Sequence, residues 1–264
     1  MFLPRHLLAC GLSLAATAAA QLVSKSSSTA APVDVPATSS VASPKPQSLT
    51  PEMRGDIFMA RKMYREAAEM YGQAGAQTSP VLANKLGIAH HQMLQFDIAR
   101  KHYQRAIKLN PKYAEAINNL GTIYYAQKSY RRAIGQYKRA LKLTPESASI
   151  YSNLGYAQFA RKQYGLAMES FNKALELDPQ VFERRSTQGV LLQERSVEER
   201  AKFYYYVAKA YAKRGVNDLA LLYVRKAIEE GFKERDKFKE EPEFAALREL
   251  PEWEQLMTME SRVL

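Results

Sequence analysis

The chain has 264 residues, 46% of them hydrophobic, enough for one elongated folded domain with appendages. Its formal charge of +11 favours anionic partners over cationic ones. One cysteine and four histidines exclude a disulfide framework and any cysteine-built metal site.

Residues Met1–Ala20 read as a secretory signal. Arg5 and His6 form a charged start, Leu7 to Ala19 is mostly apolar or small, and Ala18-Ala19-Ala20 supplies an A-x-A cleavage site before Gln21. The apolar stretch is too short to span a bilayer permanently, so no transmembrane helix is expected after cleavage. The expectation is export, either periplasmic or secreted. Two other readings stay open: an uncleaved buried helix, and a lipoprotein signal in which Leu7-Leu8-Ala9 precedes an anchoring Cys10. Cleavage after Ala20 removes the only cysteine. Residues 21–49 are rich in Ser, Thr, Ala and Pro and lack an apolar period, the composition of a disordered tether.

From Thr50 the pattern changes. Thr50-Pro51 is a helix start, with Thr as cap and Pro in the first turn. Three blocks between Pro80 and Pro179 then repeat with a period of 34 residues: Gly87, Gly121 and Gly155; Ala99, Ala133 and Ala167; Tyr103, Tyr137 and Phe171; Ala106, Ala140 and Ala174; and a closing Pro111, Pro145 and Pro179. Within a block, apolar residues recur at helical steps (Ile117, Leu120, Ile123, Tyr124), and proline punctuates the blocks. Each block is therefore a pair of antiparallel helices that cannot bury its apolar face alone, and the blocks must stack. Gly55, Ala67 and Tyr71 place an earlier repeat at 50–79, two residues short in its turn. Arg54-Gly55-Asp56 falls inside its first helix, where helical phase explains the glycine.

After Pro179 the period breaks. The step from Ala167 to Ala220 is 53 residues, so 19 extra residues (182–200) precede a fifth repeat at 201–232. Ser196 and Glu199 have the spacing of a capping box, which starts the fifth repeat's first helix near Val197, and Gly231 is placed to end its second. The tail 233–264 carries two apolar clusters, Phe244-Ala245-Ala246-Leu247 and Trp253-Leu256-Met257, suited to covering the terminal repeat.

The Leu-Gly pairs Leu86-Gly87, Leu120-Gly121 and Leu154-Gly155, with the later Ala, aromatic and Pro columns, resemble the tetratricopeptide repeat (TPR) family. The resemblance implies an all-α TPR solenoid of about five helix-turn-helix repeats (50–79, 80–113, 114–147, 148–181 and 201–232) with a C-terminal helical cap. It also implies a non-catalytic protein-binding role, in which certain positions of each first helix line a concave groove. By register those positions are Asn84, Ile88 and His91, then Asn118, Thr122 and Tyr125, then Ser152, Tyr156 and Phe159, and finally Tyr205 and Lys209. Asn119 and Asn153 form a further column. Asn side chains can hydrogen-bond an extended peptide backbone, or can simply tie repeats together. The family's acidic-peptide clamp uses Lys and Arg here, where this chain has Asn, Ser and Tyr.

No catalytic constellation stands out: there is no Gly-rich phosphate loop and no G-x-S-x-G. His90 sits in a packing column with Phe58, Tyr124 and Tyr211, His91 is expected on the inner face, and His102 is expected to face solvent. No cofactor or metal is expected. Between Pro80 and Ser147 twelve Lys or Arg stand against three acidic residues, and Arg105, Lys108, Arg139 and Lys142 are expected on the convex face. That face either solubilises the helices or meets an anionic envelope surface. Nucleic acid ranks lower, because an exported protein rarely meets it. The leading expectation is an envelope scaffold holding a protein or peptide. A self-associating structural subunit, or a cytosolic adaptor if the signal reading fails, are the alternatives.

Overall fold

A computed structural model describes residues 48–183 and 196–262. The signal segment 1–20, the tether up to Gln47 and most of the 182–200 insertion lie outside the described residues. Residues Ser48–Leu264 form one unit. Its helices are α1 (Pro51–Ala60), α2 (Tyr64–Gln73), α3 (Pro80–Gln92), α4 (Phe96–Leu109), α5 (Ala114–Ala126), α6 (Tyr130–Leu141), α7 (Ala148–Ala160), α8 (Tyr164–Leu177), α9 (Val197–Lys213) and α10 (Asn217–Glu229). A C-terminal segment follows: α11 (Asp236–Glu240), a 3-10 turn at Pro242–Phe244, α12 (Ala245–Arg248) and α13 (Pro251–Thr258).

Local chemistry sets the helix boundaries. Thr50 Oγ1 accepts from the Met53 amide, Ser79 Oγ from Leu82 and Ser196 Oγ from Glu199, each filling an orphan donor of a first turn. The connection inside each pair is a left-handed turn. Lys62, Leu94, Lys128, Lys162 and Gly215 all have φ between 58° and 70°. The residue after each donates its amide five residues back, to the carbonyls of Phe58, His90, Tyr124, Gln158 and Tyr211. These are Schellman turns, which reverse the chain while satisfying the carbonyls of the first helix.

Within a pair, the glycine column meets the aromatic column. A Cβ on Gly121 would lie 2.6 Å from Cε1 of Tyr137, and one on Gly87 2.7 Å from Cε1 of Tyr103; Gly55 and Gly155 face Tyr71 and Phe171 alike. The rings lie flat against bare backbone, and a side chain there would push the helices apart. The two residues missing from the first repeat come out of the end of α2, which has 10 residues where α4 has 14.

Helices pair in sequence (α1 with α2, α3 with α4, and so on to α9 with α10), and each second helix also packs on the next first helix. First helices approach one another across repeats, α3 with α5 and α5 with α7, more closely than successive second helices do. The stack is therefore tighter on the first-helix side, which makes that side concave. The core is unevenly divided. One large cluster reaches from Ile117 to Leu256, while three small clusters hold the first two repeats and the near side of the third.

Candidate protein-binding face

The inward residues of the first helices divide into a polar stretch and an aromatic one. In repeats one to four, a chain of polar contacts crosses from helix to helix. Lys85 Nζ holds Glu52 Oε1 and Asp56 Oδ1, both at 2.8 Å, and Tyr71 donates its hydroxyl to Asp56. Burial alone would raise the Asp56 carboxyl, but the bonds from Lys85 and Tyr71 hold it below the usual carboxylate range. The arginine-glycine-aspartate tripeptide thus lies within α1, with Gly55 buried against Tyr71 and the exposed Asp56 held by Lys85.

Asn84 is 1% exposed and donates to Glu115 Oε1 at 2.9 Å. Asn119 donates to Asn84 Oδ1 and Asn153 to Asn118 Oδ1, both at 3.0 Å, and Asn118 reaches Asn119 at 3.4 Å. Thr122 accepts from Tyr137 and donates to the Asn118 carbonyl. The amides were expected to line a groove or to tie repeats, and their observed bonds tie repeats. Asn84 is closed off; Ile88, Asn118, Asn119, Thr122 and Asn153 remain half-buried on the concave side.

The expected groove positions of repeats four and five are not an open surface. Ser152, Tyr156, Phe159 and Tyr205 are buried, as is Tyr125 in repeat three. Tyr156 stacks on Phe203 at 5.0 Å, and Phe159 meets Phe203 and Tyr206 edge-on. Tyr205 stacks on Phe232 at 4.5 Å and touches Phe238 and Phe244. Lys209 is paired with Glu241 at 3.0 Å and Glu243 at 3.4 Å. The C-terminal segment folds back onto α9 and covers Tyr205 and Lys209, while α9 itself covers Tyr156 and Phe159. Register alone places a residue on the inner face; it is silent on what chain lies over it.

The convex cations also differ from expectation. Arg105 and Arg139 are exposed, yet each donates to a backbone carbonyl of the preceding inter-repeat turn, Gln77 O and Pro111 O. They act as staples between repeats at equivalent positions. Lys108 and Lys142 are exposed.

The histidines form part of a paired column that was only half visible beforehand. His90 stacks on His102 at 5.3 Å with rings 5° apart, and His90 Nδ1 lies 2.6 Å from Gln95 Oε1. His102, expected in solvent, is thus half-buried against His90. The same two columns give Ser170 donating to Gln158 at 2.7 Å, and Tyr211 stacked on Tyr223. His91 packs edge-on against Phe96. Burial lowers the pKa of His91, and burial with the neighbouring His90 and Arg105 charges lowers that of His102. No group of His, Cys, Asp or Glu able to hold a metal ion occurs among the described residues, and none of their helices is long and apolar enough to cross a membrane. A cleft lined by Glu198, Lys202, Phe232 and Lys233 has about 30 Å³, room for a water molecule.

These features define a class, the helical-repeat solenoid with a capped C-terminal end. The helix pairs pack as tetratricopeptide repeats, and the central span carries the sequence of that repeat. Models described as TPR repeat match residues 95–128 and 121–161, and one described as tetratricopeptide repeat matches 148–181. No curated protein matches the sequence. Among solved structures, PilF of Pseudomonas aeruginosa is 18% identical with a TM-score of 0.52, over 74% of this chain and 86% of its own. A MamA crystal structure is 21% identical with a TM-score of 0.47, over 70% of this chain and 96% of its own. MamA of Desulfovibrio magneticus RS-1 is 18% identical with a TM-score of 0.48, over 67% and 90%. The likeness to PilF is one of fold.

Proposed function

We propose that this protein is an exported, non-catalytic scaffold of the cell envelope that holds a protein or peptide segment along the concave side of its first three repeats. TPR repeats serve protein interaction, and the supporting observation here is the division of the concave face. The inward positions of repeats four and five are filled by the chain itself, whereas Ile88, Asn118, Asn119 and Thr122 stay half-buried beside a hydrogen-bonded polar row. An extended segment laid there would find backbone-matching amides and an apolar contact at Ile88. The export part rests on the sequence of residues 1–20.

A photo-crosslinking residue at Ile88 or Thr122 in the native cell tests the reading. Adducts to a discrete partner from these positions, and none from Lys108 on the second-helix side, are expected. Adducts from Lys108 alone overturn the groove assignment. N-terminal sequencing of the mature chain tests export: a start at Gln21 supports it, and an intact Met1 in the cytosol favours the cytosolic adaptor.

One observation favours a second reading, the self-associating subunit. Leu49, just before α1, and Met53 and Ile57 within it expose apolar side chains at the end of the stack opposite the C-terminal segment. If copies join there, Ile57→Glu converts a larger species to a monomer in sedimentation analysis and leaves the helical content unchanged.

A further inference from the structure

The antiparallel pairing of helices, repeated with each second helix packed on the next first helix, brings all five left-handed turns to one edge of the solenoid. Three of these turns carry lysine at the left-handed position, Lys62, Lys128 and Lys162, with Arg61 and Arg161 immediately before two of them. All five cations are exposed, and none has a carboxylate partner among the described residues. The second turn places Leu94, 64% exposed, at the equivalent position. Ile98, in the first turn of α4, is exposed next to it, and Leu166, in the first turn of α8, is exposed next to the Lys162 turn.

The backbone makes this choice of residues costly. A left-handed φ disfavours any side chain with a Cβ by about 1–2 kcal/mol, and glycine avoids it. The fifth turn does use glycine, Gly215. Four of five turns thus retain strained side chains where a glycine would give a more stable fold. Three of those side chains are cationic and one is a solvent-exposed leucine. Strain held at a surface that does no packing marks a surface selected for contact.

We propose that this turn edge docks on an anionic phospholipid surface. Lysines and arginines along a line are attracted to anionic headgroups, and exposed apolar side chains between them enter the boundary of the acyl region. The combination favours lipid over nucleic acid, which would use the charges and leave Leu94 and Leu166 in water. The second-helix face is less suited, because Arg105 and Arg139 are committed to backbone carbonyls.

Partition of the full chain into phosphatidylcholine vesicles with and without phosphatidylglycerol tests the assignment, read as the ratio of anionic to neutral binding. Binding to the neutral vesicles measures whatever residues 1–20 contribute. In the triple variant Lys62→Gly, Lys128→Gly, Lys162→Gly the ratio should fall by about tenfold or more, since each cation at an anionic leaflet is worth roughly fivefold. The same variant should melt at a higher temperature than wild type, so lost binding cannot come from unfolding. Leu94→Gly should lower binding to the anionic vesicles and also raise the melting temperature. Removing three cations elsewhere (Lys108→Ala, Lys112→Ala, Lys142→Ala) should leave the ratio within about twofold. Equal losses from both triples, or no loss from the turn triple, overturn the proposal. Duplex DNA competing fully with the vesicles while Leu94→Gly has no effect overturns it in favour of nucleic acid.

Discussion

The first two repeats and the last two are built to one plan and held by different forces. From Tyr125 onward the buried hydrophobic residues join into a single cluster, rich in rings: Tyr156, Phe171, Phe182, Phe203, Tyr205, Phe232, Phe238, Phe244 and Trp253 all belong to it. The N-terminal repeats bury mainly alanine, leucine and one tyrosine each, in separate small clusters. They are tied across by ion pairs and amides: Lys85 to Glu52 and Asp56, Asn84 to Glu115 and Asn119. Apolar burial contributes in proportion to area, while a surface ion pair contributes little. The C-terminal half should be the stable end, and the N-terminal half the one free to open and accept a partner. In a repeat array, where each unit touches only its neighbours, such a gradient persists.

The largest expected effect lies in the cap. Phe238 is fully buried between Tyr205, Phe232 and Phe244. Phe238→Ala should cost about 3–5 kcal/mol by denaturant unfolding and should expose Tyr205 and Lys209. A loss no larger than that of a surface substitution would break the comparison, because the cap would then not be anchoring the last repeat.

Equivalent glycines sharpen it. Gly155→Ala drives a Cβ into Phe171, which Tyr156, Phe182 and Phe203 hem in. Gly55→Ala meets Tyr71, whose surroundings are a small cluster in the first repeat. Both overpack, in the range of about 1–3 kcal/mol, with Gly155 at the upper end and Gly55 at the lower. Thermal melts of the two variants side by side read the difference in rigidity directly.

Next comes the polar tie. Asn84→Ala leaves the Glu115 carboxylate without its buried donor and Asn119 without its acceptor, at a cost of about 1–3 kcal/mol. The loss should be local. Amide hydrogen exchange should speed up in α1 to α5 and stay unchanged in α9 and α10; uniform acceleration would show that the chain unfolds as one block.

The smallest effect is that of pH. All described histidines lie in repeat two, and His91 and His102 have pKa values lowered from 6.5 by burial. A base whose pKa is depressed by folding binds its proton more readily when unfolded. Stability is therefore complete above pH 6.5 and declines as pH falls below it, towards the folded-state values. The melting temperature between pH 7.5 and 5.5 should therefore fall modestly, and less in His102→Gln. A flat profile would place His102 in water after all.

How far was this legible beforehand? The repeat columns fixed the fold, because a glycine opposite an aromatic at constant spacing has one packing solution, and Gly121 on Tyr137 is that solution. Thr50 and Ser196 as caps, Val197 as the start of α9 and Gly231 (φ 78°) after the end of α10 followed from local chemistry for the same reason: each depends on residues three or four positions away. The inner face of the first helices was legible too, since 3.6-residue periodicity assigns every residue a side.

What covers each side was not. Tyr156, Phe159 and Tyr205 occupy inner positions equivalent to Ile88, His91 and Asn118, and only the packing of α9 on the first two and the return of the C-terminal segment over the third bury them. The stacking of His90 on His102 needed the angle between two helices, which sequence spacing does not encode. The tie of Arg105 to Gln77 and of Arg139 to Pro111 spans neighbouring repeats, 28 residues apart in both cases. The sequence determines periodic and local interactions because they repeat within a turn or a block of one chain. Contacts between distant segments depend on how the blocks rotate against one another, and that rotation is the sum of all the packing at once, which the tertiary structure alone decides.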